Sequence, residues 1–166
     1  MARVRIAGFD PGNARTGYAI LDADGNALKL VEAGLLSTES NQTPERRLAS
    51  IAKDVGTVLE KHGPDSVAIE ELFFSKNAKT AMRVAEARGV ILAAVAAAGL
   101  SAAEYGPGTV KQQLTGFGKA PKDQVALMVC RLVGLKEAPK PDDVTDAIAV
   151  AICHASRRAF PADPAG

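Results

Sequence analysis

Three strand-like stretches follow one another at the start of the chain, before any helical periodicity begins. They are VRIAGFD (4–10), GYAILD (17–22) and ALKLVEAGLLST (27–38). The Asp24-Gly25 pair between the second and the third stretch is typical of a two-residue hairpin turn. Strands joined by short turns pair antiparallel, so this order predicts a meander of three antiparallel strands.

Helical and strand-like stretches alternate in the remainder of the chain. After Thr43, a helix-capping residue, and Pro44, which suits the first helical position, apolar residues recur at helical spacing as far as Gly63. Three antiparallel strands followed by such an alternation indicate an α/β domain with a mixed five-stranded sheet and helices on both faces. The further predicted elements are strands at 66–72 and 101–106 and helices at about 78–98, 109–114, 122–133 and from 142 or 143 to 158.

The length and charge of the chain limit its organisation and its partners. A chain of 166 residues is typical of one domain with its own core. We predict a single domain over residues 1–159 and a frayed tail over residues 160–166. The net charge of +1 excludes a uniformly basic protein, so a nucleic-acid partner requires a local basic patch.

Cysteine usage and hydropathy favour a cytoplasmic protein. Cys130 and Cys153 lie in apolar helical patterns without a metal-binding or redox spacing, which predicts buried, reduced thiols. We expect no secretory signal, and the most apolar window, residues 89–100, is shorter than the roughly 20 residues of a membrane span. A membrane partner is therefore not expected.

Four carboxylates lie where the predicted strands and the last helix meet. Asp10 ends the first apolar strand, and Glu70 follows the apolar residues of the fourth strand. Asp143 and Asp146 lie three residues apart in the first turn of the last helix, on the flank of its apolar stripe. Ligands gather at the carboxyl ends of strands in open α/β sheets, so we expect these side chains to converge.

Each acid also has an ordinary structural interpretation. Asp143 and Asp146 suit a helix N-terminus, where acids are common. Glu70 suits a solvent-facing sheet edge, and Asp10 suits the turn that follows it. Together, however, like charges at one end of a sheet repel one another unless a cation lies among them. Oxygen ligands without histidine or cysteine favour Mg²⁺ or Mn²⁺, and such a cluster can hold two ions about 4 Å apart for phosphoryl displacement.

Four segments, in this order, resemble the motifs of the RuvC family, the bacterial crossover-junction endodeoxyribonucleases. They are GFDPGNARTGYA, AIEELFFSKNAKTAMRVAEARGV, EYGPGTVKQQLTGFGKAPKDQVALMV and KPDDVTDAIAVAICH. The resemblance covers residues 4–156 and implies a ribonuclease H-like fold. It also implies a homodimer that resolves four-way (Holliday) DNA junctions by paired symmetric nicks with 5′-phosphate ends, with a branch-migration helicase complex as a partner.

The same resemblance implies the roles of individual residues. Asp10, Glu70, Asp143 and Asp146 match the metal-binding catalytic acids, which use Mg²⁺, or Mn²⁺ in its place, to activate water. Phe73 matches an aromatic residue that stacks on a base near the junction centre, with core packing as the alternative. Two basic stretches without acids, residues 72–85 and 105–122, suit a track for backbone phosphates better than a solvated face. The predicted DNA-binding residues are Phe73, Lys76, Lys79, Arg83, Lys111, Lys119 and Lys122.

Other interpretations stay open at this point. DPGNARTG also resembles the first phosphate loop of the actin and sugar-kinase superfamily, but 166 residues leave no room for the second domain of those enzymes. A junction-binding clamp without activity is another alternative, which the retention of all four acids disfavours. A family of pre-ribosomal RNA processing factors shares the first motif and lacks the KQQLTGFGKAPKDQV region.

Two further features have structural and functional interpretations. The alanine-rich helix at 78–98 is apolar nearly all round, which suits sheet packing or, by the resemblance, a dimer interface. His62 closes a predicted helix, and His154 lies more than two turns beyond Asp146. We therefore expect structural roles for both histidines.

Overall fold

The computed structural model describes residues 2–71 and 77–159, which form five strands and five helices. In chain order they are β1 (Val4–Asp10), β2 (Arg15–Asp24), β3 (Ala27–Ser37), α1 (Pro44–His62), β4 (Ser66–Glu70), α2 (Ala78–Ala97), β5 (Ala102–Tyr105), α3 (Pro107–Thr115), α4 (Lys122–Val133) and α5 (Asp142–Ala159). This is the predicted order of elements. Among the described helices, none combines the length and the apolar character that crossing a membrane requires. The tail predicted over residues 160–166 lies outside the described residues.

The strands form one mixed sheet in the order β3-β2-β1-β4-β5. β2 pairs antiparallel with both β1 and β3, whereas β4 pairs parallel with both β1 and β5. Short turns join the first three strands antiparallel, while α1 and α2 return the chain across the sheet so that the later strands can pair parallel. The structure confirms the predicted sheet of three antiparallel strands followed by two parallel strands.

Helices cover both faces of the sheet, as predicted. On one face, α5 with α3 and α4 encloses a core that contains Ile6 and Ala68. On the other face, α1 and α2 enclose a core that contains Ala7, Phe9 and Ile69. The division follows from the alternation of side chains along β1, which point to opposite faces in turn.

α5 lies very close to the sheet. A Cβ added at Gly8 of β1 would lie 2.4 Å from the carbonyl oxygen of Ala147, so only glycine fits at this position. The apolar stripe of the helix is buried against the same face, as predicted; it consists of Val144, Ile148, Ala151, Ile152 and Ala155. This packing fixes the start of α5 beside the carboxyl end of β1.

Several element boundaries differ from the predicted ones by about two residues. β2 begins at Arg15 rather than Gly17, because the residues before the predicted start also pair with β3. α3 begins at Pro107 rather than near Thr109, since proline suits the first helical position. β4 ends at Glu70 rather than at residue 72. The earlier start of β2 makes an arginine part of the sheet near the predicted acids.

Candidate metal centre

Strand pairing places Asp10 and Glu70 side by side. Phe9 of β1 pairs with Ile69 of the parallel strand β4, and each acid is the next residue of its strand. The residues that precede both acids are buried, so core packing holds the backbone that carries the two carboxylates. The structure therefore brings together the two strand-end acids that the sequence analysis selected.

The first turns of α5 bring a third acid to this edge of the sheet. Gly17 of β2 pairs with Asp10, and a Cβ at Gly17 would lie 1.9 Å from the carbonyl oxygen of Asp143. The helix therefore rests directly on the backbone of β2, and Asp146 lies almost one turn further along it. One carboxylate oxygen from each of Asp10, Glu70 and Asp146 lies within 4.8 Å of the others.

Burial and mutual repulsion make these carboxyl groups hard to ionise together. Burial raises the pKa of Asp10 far above its ordinary value, and a hydrogen bond with Glu70 and the charges of the neighbouring acids raise it further. Burial and the charge of Glu70 also raise the pKa of Asp146 to about 6, although Lys122 opposes that shift. In the absence of a cation the cluster therefore retains a proton near neutral pH.

The chemistry of the donor atoms fits a divalent metal ion. Each of the three groups offers a carboxylate oxygen, and within the described part of the chain neither histidine nor cysteine belongs to the group. Hard oxygen ligands of this kind suit Mg²⁺, Mn²⁺ or Ca²⁺ rather than the metals that prefer sulfur or imidazole. A divalent cation would also offset the repulsion that otherwise favours protonation.

Asp143, the fourth predicted acid, has a different immediate partner. Its Oδ2 atom lies 2.8 Å from Nε of Arg15, at the start of β2. Asp143 is not among the three acids within 4.8 Å of one another, but its charge adds to the raised pKa of both Asp10 and Asp146. The sequence interpretation did not select Arg15. The signal available for it was a cation in the short stretch between Asp10 and the predicted start of the second strand at Gly17.

Two cavities flank the acids, and predicted DNA-binding lysines line one of them. Glu70, Asp146, Lys111 and Lys122 all line a cavity of about 400 Å³. Glu70 also lines a second cavity of about 210 Å³, together with Arg88, which the sequence analysis did not select. The two lysines place positive charge where a backbone phosphate could approach the acids.

The other predicted DNA-binding residues lie further from the acids or outside the described structure. Lys79 and Arg83 are exposed near the start of α2, and Lys119 is exposed in the loop between α3 and α4. Phe73 and Lys76 lie outside the described residues. The geometry therefore supports Lys111 and Lys122 most directly, and the roles of the remaining residues stay predictions.

The two histidines are structural, as expected. His154 is buried on α5, where its ring nitrogens lie 3.1 Å from the hydroxyl of Ser66 and 2.7 Å from the hydroxyl of Tyr105. Burial lowers the pKa of His154 to about 4, so the ring stays neutral near neutral pH. His62 ends α1 with its Nε2 atom 3.2 Å from the carboxylate of Glu32. Neither ring belongs to the acidic group among the described residues.

Sheet order and site together define a ribonuclease H-like nuclease. The sheet has two antiparallel and two parallel strand pairs, with acids at the carboxyl ends of its central strand and of the adjacent parallel strand, and a further acid on the last helix. Within that class, the chain belongs to the RuvC family, because the sequence model of that family, described as crossover junction endodeoxyribonuclease RuvC, matches residues 6–154. The resemblance drawn from the four motifs is confirmed.

Known relatives support this family and this fold. The crossover junction endodeoxyribonuclease RuvC of Moorella thermoacetica is 50% identical over 151 residues, which cover 91% of this chain and 90% of the relative. The structure of Thermus thermophilus RuvC in complex with a Holliday junction substrate superposes with a TM-score of 0.87 at 38% identity, over 92% of this chain and 93% of the other. The yeast mitochondrial Holliday junction resolvase has a TM-score of 0.69 at 14% identity, over 92% and 79% of the two chains, and supports the fold alone.

Proposed function

We propose that this chain is a metal-dependent endodeoxyribonuclease that resolves four-way (Holliday) DNA junctions in recombination and repair. The observation that carries the proposal is the group of three carboxylates within 4.8 Å of one another, in a chain of the RuvC family. The relative from Thermus thermophilus is bound to a Holliday junction substrate, and this chain has the same fold over 92% of its length. Both observations favour junction DNA as the substrate.

The proposed reaction is in-line hydrolysis of a phosphodiester by water, which leaves 5′-phosphate and 3′-hydroxyl ends. Asp10, Glu70, Asp143 and Asp146 would hold Mg²⁺, or Mn²⁺ in its place, with two ions per active site when DNA is bound. The bound ions would supply activated water and stabilise the charge on the leaving oxygen. The protein itself contributes rigid positioning of these ligands, since Asp10 and Glu70 end buried strands and Asp146 belongs to a tightly packed helix.

Two lysines beside the acids would help to bind the phosphate backbone of the DNA. A cluster of carboxylates alone repels the phosphate backbone of DNA. Lys111 and Lys122 line the same cavity as Glu70 and Asp146, so they would offset that repulsion and hold a phosphate near the acids. We propose that the DNA-binding surface of the protein continues from this cavity to the other predicted contacts, namely Phe73, Lys76, Lys79, Arg83 and Lys119.

Paired nicks on a junction require two active sites, which supports a homodimer. Apolar surface is available on the face formed by α1 and α2, where a groove of about 970 Å³ is lined by residues that include Leu48, Val90 and Leu100. Met82 of α2 is 66% exposed. We propose that a second copy of the chain covers α2, as the sequence analysis expected for this helix.

The remaining parts of the proposal follow from the reaction. Residues 1–159 form the nuclease domain. A junction that moves along DNA presents new sites for cleavage, and a branch-migration helicase complex is the proposed partner that moves it. Bacterial chromosomal DNA lies in the cytoplasm, so we propose that the enzyme acts there.

Cleavage of a mobile synthetic four-way junction tests the proposal. The purified chain is incubated with the junction in Mg²⁺, in Mn²⁺ and in EDTA, beside Asp10→Asn and beside linear duplex of the same sequence. We expect nicks that require metal, that are lost in Asp10→Asn while junction binding persists, and that spare the duplex. Tight junction binding without cleavage in either metal would favour the inactive clamp and refute the catalytic roles of the four acids.

A further inference from the structure

Arg15 lies just after the turn that follows β1 and forms an ion pair with one of the four predicted acids. It is the first residue of β2, and its Nε atom lies 2.8 Å from Oδ2 of Asp143. The Asp143 side chain is 22% exposed and that of Arg15 is 51% exposed, so solvent screens the pair only in part. Neither the predicted metal ligands nor the predicted DNA contacts include Arg15.

Backbone packing holds Asp143 in place for this contact. Its carbonyl oxygen lies against Gly17, where a Cβ would be only 1.9 Å away. The other carboxylate oxygen, Oδ1, lies 3.8 Å from the position that a Cβ at Gly12 would occupy. The carboxylate therefore lies between the Gly12 turn and the Arg15 guanidinium.

Other nearby cations have a different partner. Lys140 and Lys122 lie 3.0 Å and 3.9 Å from the carboxylate of Asp142, the residue before Asp143. Within residues 2–71 and 77–159, Arg15 is the one cation that forms an ion pair with Asp143. An arginine side chain keeps its charge over the whole pH range in which proteins fold.

We propose that Arg15 is an internal counter-ion that competes with the divalent cation for the carboxylate of Asp143, a proposal that rests on the metal-dependent function proposed above. In the metal-free site Arg15 balances the charge that Asp143 adds to the cluster. Binding of the cation through Asp143 requires that the carboxylate leave Arg15. Arg15 is thus a positioning residue that sets how tightly the site holds metal before DNA arrives.

The expected effect is a gain of metal affinity when Arg15 loses its charge. A partly exposed ion pair contributes roughly a fivefold effect on an equilibrium at most, so we expect Arg15→Gln to bind Mn²⁺ about threefold to fivefold more tightly. The gain should act through Asp143. In an Asp143→Asn background the same Arg15→Gln change should therefore alter Mn²⁺ affinity by less than about twofold.

A double-mutant cycle on metal binding without DNA tests this. Mn²⁺ binding is measured by calorimetry and by electron paramagnetic resonance for the wild type, Arg15→Gln, Asp143→Asn and the double variant, with Lys140→Gln as a control cation whose partner is Asp142. Thermal unfolding in EDTA shows that each variant is folded. Lys140→Gln should leave the affinity within about twofold of the wild type.

Each outcome decides the proposal. Unchanged or weaker binding by Arg15→Gln would overturn it, as would a gain of the same size in the Asp143→Asn background, which would show long-range repulsion instead. A folded wild type that binds no Mn²⁺ would refute the proposed metal function together with this inference. If Mn²⁺ binding changes across the four proteins as expected but the chain does not cleave junctions, the role of Arg15 would be supported and the nuclease function alone would be refuted.

Discussion

Gly17→Ala tests whether the contact between β2 and α5 assembles the acids. The added Cβ would lie 1.9 Å from the carbonyl oxygen of Asp143, 2.4 Å from its carbonyl carbon and 3.1 Å from the nitrogen of Val144. Cβ atoms do not approach other heavy atoms to less than 3.0 Å, and the atoms in the way are backbone. The start of α5 must therefore move away from the sheet by about 1 Å.

The expected losses follow from that displacement. Overpacking of a core costs about 1–3 kcal/mol, and a clash with helix backbone belongs at the upper end of that range. For a domain of this size, about 3 kcal/mol lowers the thermal midpoint by about 6–12 °C. Metal ligands tolerate displacements of only about 0.2 Å, so Asp146 would no longer meet Asp10 and Glu70 correctly, and cleavage should fall by about 100-fold or more.

The assay compares thermal unfolding in EDTA with single-turnover junction cleavage in Mg²⁺. Gly56→Ala in α1 is the matched control, because a Cβ at that position has nothing within 4 Å and the residue lies outside the helix that a second copy is proposed to cover. Alanine is the better helix former by about 1 kcal/mol, so this control should unfold at the same temperature as the wild type or higher. A Gly17→Ala protein with the midpoint and cleavage rate of the wild type would refute the reasoning about α5.

Three further predictions concern the acids and the lysines. Asp10→Asn should raise the thermal midpoint in EDTA near neutral pH, because folding of the wild type must protonate this buried carboxyl, which is ionised in the unfolded chain, and should abolish cleavage; a lower midpoint would contradict this. The pKa of Asp146 is about 6 in the folded protein, against an ordinary value of 3.8, so the folded state holds this proton more tightly than the unfolded chain does. The free energy of unfolding in EDTA should therefore fall as pH rises from about 4 to 6. A urea titration series measures that fall, which Asp146→Asn should reduce. Replacing both Lys111 and Lys122 by alanine should weaken junction binding and lower the slope of log affinity against log salt by about 1.8; an unchanged slope would place both lysines away from phosphates.

The order of elements could be predicted because local signals agreed with the tertiary structure. Alternation along the first strand assigned Ile6 and Phe9 to opposite faces, and the two cores contain them separately. Pro44 and Gly63 marked the limits of α1 correctly, since both act through backbone conformation alone. The functional class came from the four motifs in order, which composition and periodicity could not supply.

The pairing of Asp143 with Arg15 could not be predicted from the sequence. Arg15 and Thr16 are polar, so the pattern started the strand at Gly17, whereas Thr16 is fully buried and both residues pair with β3. The distance between β2 and α5 decides which acid contacts Arg15. That distance is short because Gly17 has no side chain. A contact between residues so far apart in the chain has no local signature.

The most direct test of the central claim maps the cuts on a mobile junction whose four strands are labelled in turn, in Mg²⁺. We expect nicks at symmetry-related positions on two strands of like polarity, with 5′-phosphate ends that DNA ligase reseals. Cuts at unrelated positions, cuts that persist in EDTA, or equal cleavage of linear duplex would contradict the assignment of Asp10, Glu70, Asp143 and Asp146 to a junction-resolving metal centre.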